Sequence, residues 1–369
     1  MALTDTSNVP PSLKTGTSIG SFVFDQPARR VIFGPGSIER LPEEVKRLGT
    51  KALVLSTPEQ RADADRVAKQ LGDIAVGVFT NAAMHVPIDT ARAARAEAAR
   101  LGADVYVTVG GGSTTGLGKV IALETGQPIV AVPTTFAGSE MTPIYGITEP
   151  GLKKTARDNK VLPRTVIYDP VLTLTLPVHI AGPSGMNAIA HCVEALYAPD
   201  GNPIISLMAA EGIRALGQAL PVVVAEPTNL SARSDALYGA WLAGIALGST
   251  SMSIHHKLCH TLGGTFNLPH ADVHTVILPH ATAYNAEAAP DAMRRIADAL
   301  GVKNAAQGIF DLIVKIGAPI ALKDIGMPAN GLDRAAKLAT ENPYYNPKPI
   351  EYHAVRELLE HAYHGTRPS

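Results

Sequence analysis

Short apolar runs rich in β-branched residues alternate with helix-spaced stretches from Ser21 to about Asp169. Strands are expected at Arg30 to Phe33, Ala52 to Ser56, Ile74 to Phe79, Val105 to Val109 and Ile129 to Val132. Between them, helical spacing covers Ile38 to Leu48, Glu59 to Leu71, Thr90 to Leu101 and Thr114 to Glu124, each ended by Gly or polar residues. Strands such as VYVTV do not alternate apolar with polar, so both of their faces are buried. Strand–helix alternation of this kind calls for a doubly wound parallel sheet. After Leu176-Pro177 the strand signal stops. Ile180 to Tyr197, Ile204 to Val224, Ala232 to Leu247, His255 to Phe266, Val273 to Ala289, Asp291 to Leu300 and Glu351 to Tyr363 all carry apolar residues at helical spacing. The expected organisation is a loose tail over residues 1–20, an α/β domain over 21–178 and an all-helical domain over 179–369. A cleft between them is the natural place for a cofactor and a small substrate to meet.

Composition removes several classes of partner. The 369 residues carry 32 basic and 33 acidic side chains with no dense basic tract, so nucleic acid and membrane surfaces are poor partners. Charged residues are only 18% of the chain and apolar residues 46%, which excludes long disorder. Cys192 and Cys259 are the only cysteines, too few for a disulfide framework, and point to a reducing, cytoplasmic setting. The tail, with Pro10, Pro11 and Gly16, lacks the apolar core of a secretion signal.

The first candidate chemistry is Thr108-Val109-Gly110-Gly111-Gly112-Ser113-Thr114-Thr115, which follows a buried strand and opens a helix. Glycines let the backbone approach an anion, and the helix start offers free N–H groups and a positive dipole end, an arrangement suited to a diphosphate. The spacing is neither G-x-G-x-x-G nor a Walker loop, because Thr115 stands at the third glycine position and Val120 follows Lys119. A second polar turn, Pro133-Thr134-Thr135-Phe136-Ala137-Gly138-Ser139, follows the next strand on the same sheet edge. At the end of the second strand, Thr57 stands where an acid would select a free ribose 2′-hydroxyl, with Glu59 beyond it, so weak discrimination between NADH and NADPH is expected.

The second is a histidine cluster. Six of the twelve histidines fall between His255 and His280, and the pairs Asn187/His191, His256/His260 and His270/His274 are each four residues apart, on one helix face. A single histidine is more simply a hydrogen-bonded core ring, but the group favours a common site. As metal ligands they are weakened, because Asn187 is a neutral amide and Glu194, the nearest carboxylate to His191, sits at a neighbouring angle of the helix.

GGGSTTGLGK (110–119), PTTFAGSEMTPIYGITE (133–149), LKKT (152–155), SGMNAIAHCVEALYA (184–198), HHKLCHTLGGTFNLPHA (255–271) and NPYYNPKP (342–349) together resemble the iron-containing alcohol dehydrogenase superfamily and, within it, the maleylacetate reductase branch. The resemblance runs from about Phe22 to Pro368 and implies the fold shared with dehydroquinate synthase: a dinucleotide-binding α/β domain, an all-α domain and usually a homodimer. It implies that Gly111, Gly112 and Ser113 hold the diphosphate, that Thr134, Thr135 and Ser139 line the nicotinamide side, that Asn81 meets the adenosine and that Lys154 lies near the nicotinamide ribose. The family's four metal ligands fall at Asn187, His191, His256 and His270, the first an aspartate in metal-dependent relatives and an asparagine here. Gly116 likewise replaces an aspartate. Both departures are in keeping with the maleylacetate reductase branch.

The implied activity is reduction of the carbon–carbon double bond of maleylacetate, a dicarboxylate, to 3-oxoadipate in aromatic-compound degradation, using NADH or NADPH and requiring no metal. His191, His256, His260 and His270 would take up the charge that reaches the ketone oxygen, with one imidazolium giving the proton. Lys154, Arg157 and Lys257 are candidates for the substrate carboxylates, and Tyr145 and Tyr344 for narrowing the pocket. The alternatives are a metal-dependent alcohol or aldehyde dehydrogenase of the same superfamily, a lyase of the dehydroquinate synthase type and a non-catalytic nucleotide sensor.

Overall fold

The computed structural model describes residues 29–149 and 152–369. The expected tail over 1–20 and the start of the first domain at Ser21 lie outside the described residues. The α/β half runs β1 (Arg30–Phe33), α1 (Leu41–Lys46), β2 (Ala52–Leu55), α2 (Arg61–Leu71), β3 (Ala75–Phe79), α3 (Ile88–Leu101), β4 (Val105–Gly110), α4 (Gly112–Thr125), β5 (Ile129–Pro133), β6 (Ile144–Glu149), β7 (Leu152–Arg157) and β8 (Thr165–Tyr168). Six of these strands form a parallel sheet in the order β1-β8-β5-β4-β2-β3. Every residue of β2, β4, β5 and β8 is buried, as the unbroken apolar runs require. One face packs Val54, Val107 and Val130 against Val67 and Leu71, and the other packs Leu55 and Tyr106 against Leu117 and Ile121.

Three strands were not legible. β8 is four residues between Pro163 and Pro170, too short to show a period. β6 and β7 form an antiparallel hairpin with Gly146 opposite Thr155, and all of β6 is only half-buried, so no apolar alternation marks it.

The helical half follows without a strand: α5 (Val178–Ala195), α6 (Pro203–Ala225), α7 (Leu230–Ser249), α8 (Ile254–Phe266), α9 (His270–Tyr284), α10 (Pro290–Leu300), α11 (Ala305–Lys315), α12 (Leu332–Thr340) and α13 (Tyr352–His364). α11 and α12 add to the helices expected from spacing. The buried face of α12 is Leu332, Ala335, Ala336 and Ala339, mostly alanine, which gives little apolar contrast. Among the described residues one helix, α6, is long and apolar enough to cross a membrane. Here Ile205, Ile213, Leu216, Leu220 and Val223 pack it into the helical core. That core is continuous with the sheet through Ala131, Phe136, Met141, Val166 and Tyr168, so the two halves share one apolar interior.

Candidate active site

The order of the sheet places the site. The chain runs outward from β2 to β3 on one side and from β4 through β5 to β8 on the other, so a crevice opens beyond the ends of β2 and β4, where open α/β sheets bind ligands. Between that edge and the helices lies a cleft of about 1160 Å³, walled by Thr57, Gly111, Gly112, Ser113, Thr135 and Ser139 on the sheet side. It is large enough for a dinucleotide and a small substrate together.

Two glycines of the loop are sterically required. Gly110 has φ 148°, and a Cβ there would lie 2.5 Å from Gln60 Oε1. A Cβ on Gly111 would lie 2.9 Å from the Thr135 side chain. α4 starts at Gly112 with no side-chain cap, so its first N–H groups are open to an anion. The donor set and the bare backbone cradle fit a dinucleotide diphosphate. Lys119 does not act as a phosphate lysine: its buried Nζ donates to Ser139 O at 2.6 Å, Thr142 Oγ1 at 3.0 Å and Ile144 O at 2.7 Å. It thereby fastens α4 to the turn after β5, and burial lowers its pKa to about 7.

Three residues implied by resemblance stand elsewhere. Thr134 is buried and accepts a hydrogen bond from Gln60 Nε2 at 2.6 Å, so Gln60 rather than Thr134 meets the cleft. Lys154 is exposed and pairs with Glu149 across the hairpin at 2.8 Å, whereas Thr155, Ala156 and Arg157 reach the cleft. Asn81 is exposed at the end of β3 and is not among the residues lining the cleft. Lys257 is likewise turned away, donating to Glu341 O at 2.8 Å.

On the helical side the wall contains Asn187 and His191 from α5, His256 and His260 from α8, His270 from α9, and Tyr344. Helical spacing therefore did bring the histidines together. Behind them stands Glu194. Its carboxyl accepts backbone N–H groups from Ser253 and His255, both at 2.7 Å, and lies 2.7 Å from His256 Nδ1. His256 Nε2 is in turn 2.9 Å from His191 Nδ1, and the His191 ring donates to the Ala137 carbonyl. One consistent arrangement places the His191 hydrogen on Ala137, so that His256 Nε2–H donates to His191 and a protonated Glu194 donates to His256 Nδ1. Burial pushes the Glu194 carboxyl up to about 8, in keeping with that assignment.

Burial also corrects the expected imidazolium. His191 is held well below the ordinary imidazole value and His256 down to about 3, both because the dry interior penalises charge. The buried pair is neutral near pH 7. His260, exposed and 3.2 Å from the Tyr344 hydroxyl through Nδ1, and the half-buried His270 stand on the open side.

His191, His255, His256 and His274 all have lowered values, His256 down to about 3, so as pH falls below 6.5 the unfolded chain binds protons that the folded chain refuses. Stability then rises with pH across that window, by up to about 1.4 kcal/mol per pH unit for each ring. Glu194, raised by burial, works in the opposite sense from pH 4.5 to about 8, but as one group against four. Thermal unfolding is expected at a clearly lower temperature at pH 5.0 than at pH 6.5; equal midpoints would contradict the dry histidine core.

The family's metal positions, Asn187, His191, His256 and His270, carry no anionic ligand. Asn187 offers only a neutral amide oxygen, which is buried and has no hydrogen-bond partner. His256 Nδ1 lies 2.7 Å from Glu194 Oε2 and its Nε2 lies 2.9 Å from His191 Nδ1, so the two rings share one hydrogen between them. Sequence reasoning missed Gln60, His85, Val86, His179, Thr250 and Ser251 on the cleft wall. Only His85 and Val86 carry a structural signal, left-handed φ values of 65° and 47° in non-glycine residues, which no local pattern announces.

Comparison with known proteins agrees with this architecture. Residues 28–170 match the family described as iron-containing alcohol dehydrogenase, and residues 182–363 match the Fe-containing alcohol dehydrogenase family, C-terminal. The chain is 62% identical to a maleylacetate reductase of Burkholderia cepacia over 95% of this chain and 100% of that one. Among solved structures, a putative alcohol dehydrogenase from Ralstonia eutropha JMP134 superposes with TM-score 0.94 at 58% identity, covering 95% of this chain and 100% of that one. A maleylacetate reductase from Agrobacterium tumefaciens superposes with TM-score 0.91 at 51% identity, with the same coverage of both chains.

Proposed function

The chain belongs to the iron-containing alcohol dehydrogenase family, and from that premise we propose that it is a maleylacetate reductase, reducing the carbon–carbon double bond of maleylacetate to 3-oxoadipate with NADH or NADPH. The observation that carries the reading is 62% identity across the whole length of a relative with that activity in its name. The cleft chemistry supports it.

When bound, the nicotinamide supplies a hydride to the alkene carbon remote from the ketone. The residues of this chain do the rest. Gly111, Gly112 and Ser113 hold the diphosphate at the open start of α4, Thr57 stands on the adenosine side, and Thr135 and Ser139 flank the nicotinamide side. Thr57 and the fully exposed Glu59 make no strong 2′-hydroxyl selector, so both cofactors are accepted. Arg157 has Nη2 on the Gly248 carbonyl at 2.8 Å, which leaves the other edge of its guanidinium for a substrate carboxylate. Charge arriving on the ketone oxygen meets N–H and O–H donors from His260, His270 and Tyr344, and the proton for the α carbon comes from this open side, where His260 exchanges with water. The neutral Glu194–His256–His191 chain holds the back wall rigid and dry.

No metal takes part in this scheme. After exhaustive chelation the protein is expected to oxidise NADH with maleylacetate at nearly its full rate. A rate that vanished and returned with zinc or iron would favour the metal-dependent alcohol or aldehyde dehydrogenase instead. Net cofactor consumption separates the reductase from a synthase-type lyase, and turnover itself removes the sensor. Cytoplasmic placement rests on two free, buried thiols, and the homodimer is checked by sedimentation.

A further inference from the structure

Behind the cleft wall, and absent from its lining, a second group of donors converges. His255 and Cys259 lie one turn apart on α8, and His274 faces them from α9. His255 Nε2 is 2.9 Å from His274 Nδ1, Cys259 Sγ is 3.6 Å from His255 Nε2, and all three atoms lie within 4.8 Å of one another. The three side chains are 0%, 1% and 0% exposed. We propose that His255, Cys259 and His274 form a buried site for a thiophilic d10 cation, Zn²⁺ or Cu⁺, distinct from the family positions at Asn187, His191, His256 and His270.

Proton counting gives the reason. Three lone-pair-bearing atoms lie within 4.8 Å of one another, and neutral rings can place only one N–H between the two nitrogens. With the inward nitrogens ligating, the ring protons would sit on the outward atoms, His255 Nδ1 and His274 Nε2. A cation would accept all three lone pairs at once and fix both ring tautomers. Ligand bonds of about 2.0–2.3 Å place neighbouring donors roughly 3.3–3.6 Å apart, close to the 2.9 Å and 3.6 Å separations about His255 Nε2. Two imidazoles and a thiolate select soft ions over Mg²⁺ or Ca²⁺. The Glu194 carboxyl, 2.7 Å from the His255 backbone nitrogen, adds a second acidic group nearby. With no opening to the cleft, the ion would act structurally, pinning α8 to α9 and so fixing His256 and His270, which those helices present to the substrate. This inference does not rest on the proposed activity and fails or stands independently of it.

The test is metal content. Protein is expressed in medium supplemented with zinc or, separately, with copper, dialysed against EDTA and desalted, and each metal is counted. About one equivalent per chain of one of the two is expected in the wild type, falling at least tenfold in Cys259→Ser and in His274→Gln while NADH still binds. A wild type without either metal, or variants that retain it, would overturn the proposal. Should a variant not fold, X-ray absorption on the loaded wild type decides: one sulfur and two imidazole nitrogens around the ion support the site, and a shell without sulfur refutes it.

Discussion

Replacing His256 with alanine is expected to lower turnover roughly 10²-fold, because the wall it braces positions the reacting groups and a small misplacement there is costly to rate. NADH affinity should change by less than a few-fold. The separation arises because His256 lies on the helical wall and the glycine cradle on the sheet side. His256 is also the link between Glu194 at 2.7 Å and His191 at 2.9 Å, so its loss leaves a buried carboxyl without that partner and lets His191 turn. A thermal scan of the same sample distinguishes misfolding from lost chemistry, and His256→Gln, which keeps a polar side chain of similar reach, should restore stability more than rate. Unchanged kcat in both variants would remove His256 from the mechanism.

The second large effect is expected at Gly244 on α7. A Cβ there would lie 2.5 Å from the Gly138 carbonyl oxygen, 2.8 Å from Met141 Cβ and 3.0 Å from Gly138 Cα. Gly138 in turn has φ 77°, and its own Cβ would meet Gly244 Cα at 2.9 Å. Helix and turn touch backbone to backbone, so neither can yield by changing a rotamer. Gly244→Val should cost about 1–3 kcal/mol from overpacking and lower the unfolding temperature by several degrees. The displaced turn carries Thr135 and Ser139, so the cofactor Kd should also rise, by roughly tenfold if about 1.4 kcal/mol of the distortion falls on that wall. Gly264→Ala, where a Cβ meets nothing within 4 Å, is the control and should leave both readouts near wild type. Equal behaviour of the two variants would show that the contact between helix and turn is not what holds the cleft.

Local pattern carried far into this site. The glycine turn, the polar turn after β5 and the histidines spaced four apart all reach one cleft, because strand ends and helix faces are set by the periods of the chain itself. The failures have equally local causes. Lys154 was placed by resemblance, yet it lies on the hairpin strand β7 and pairs with Glu149. Thr134 sits in the expected turn, but Gln60 from the start of another helix covers it. In the sequence Glu194 sits at the wrong helix angle to join His191 as a ligand, and that angle is what directs it to His256.

From the order of residues alone came a parallel sheet followed by helices, a phosphate-ready turn at a strand end and a histidine-rich helical wall. These rest on backbone preferences and apolar spacing within a few residues. Protonation was decided only in three dimensions. Glu194 and His256 are 62 positions apart and His191 and His256 are 65, so which nitrogen faces which partner, and how dry each ring is, depends on helix packing that no short window contains. Desolvation is a property of everything around a group, and it is the largest cause that keeps these buried rings neutral.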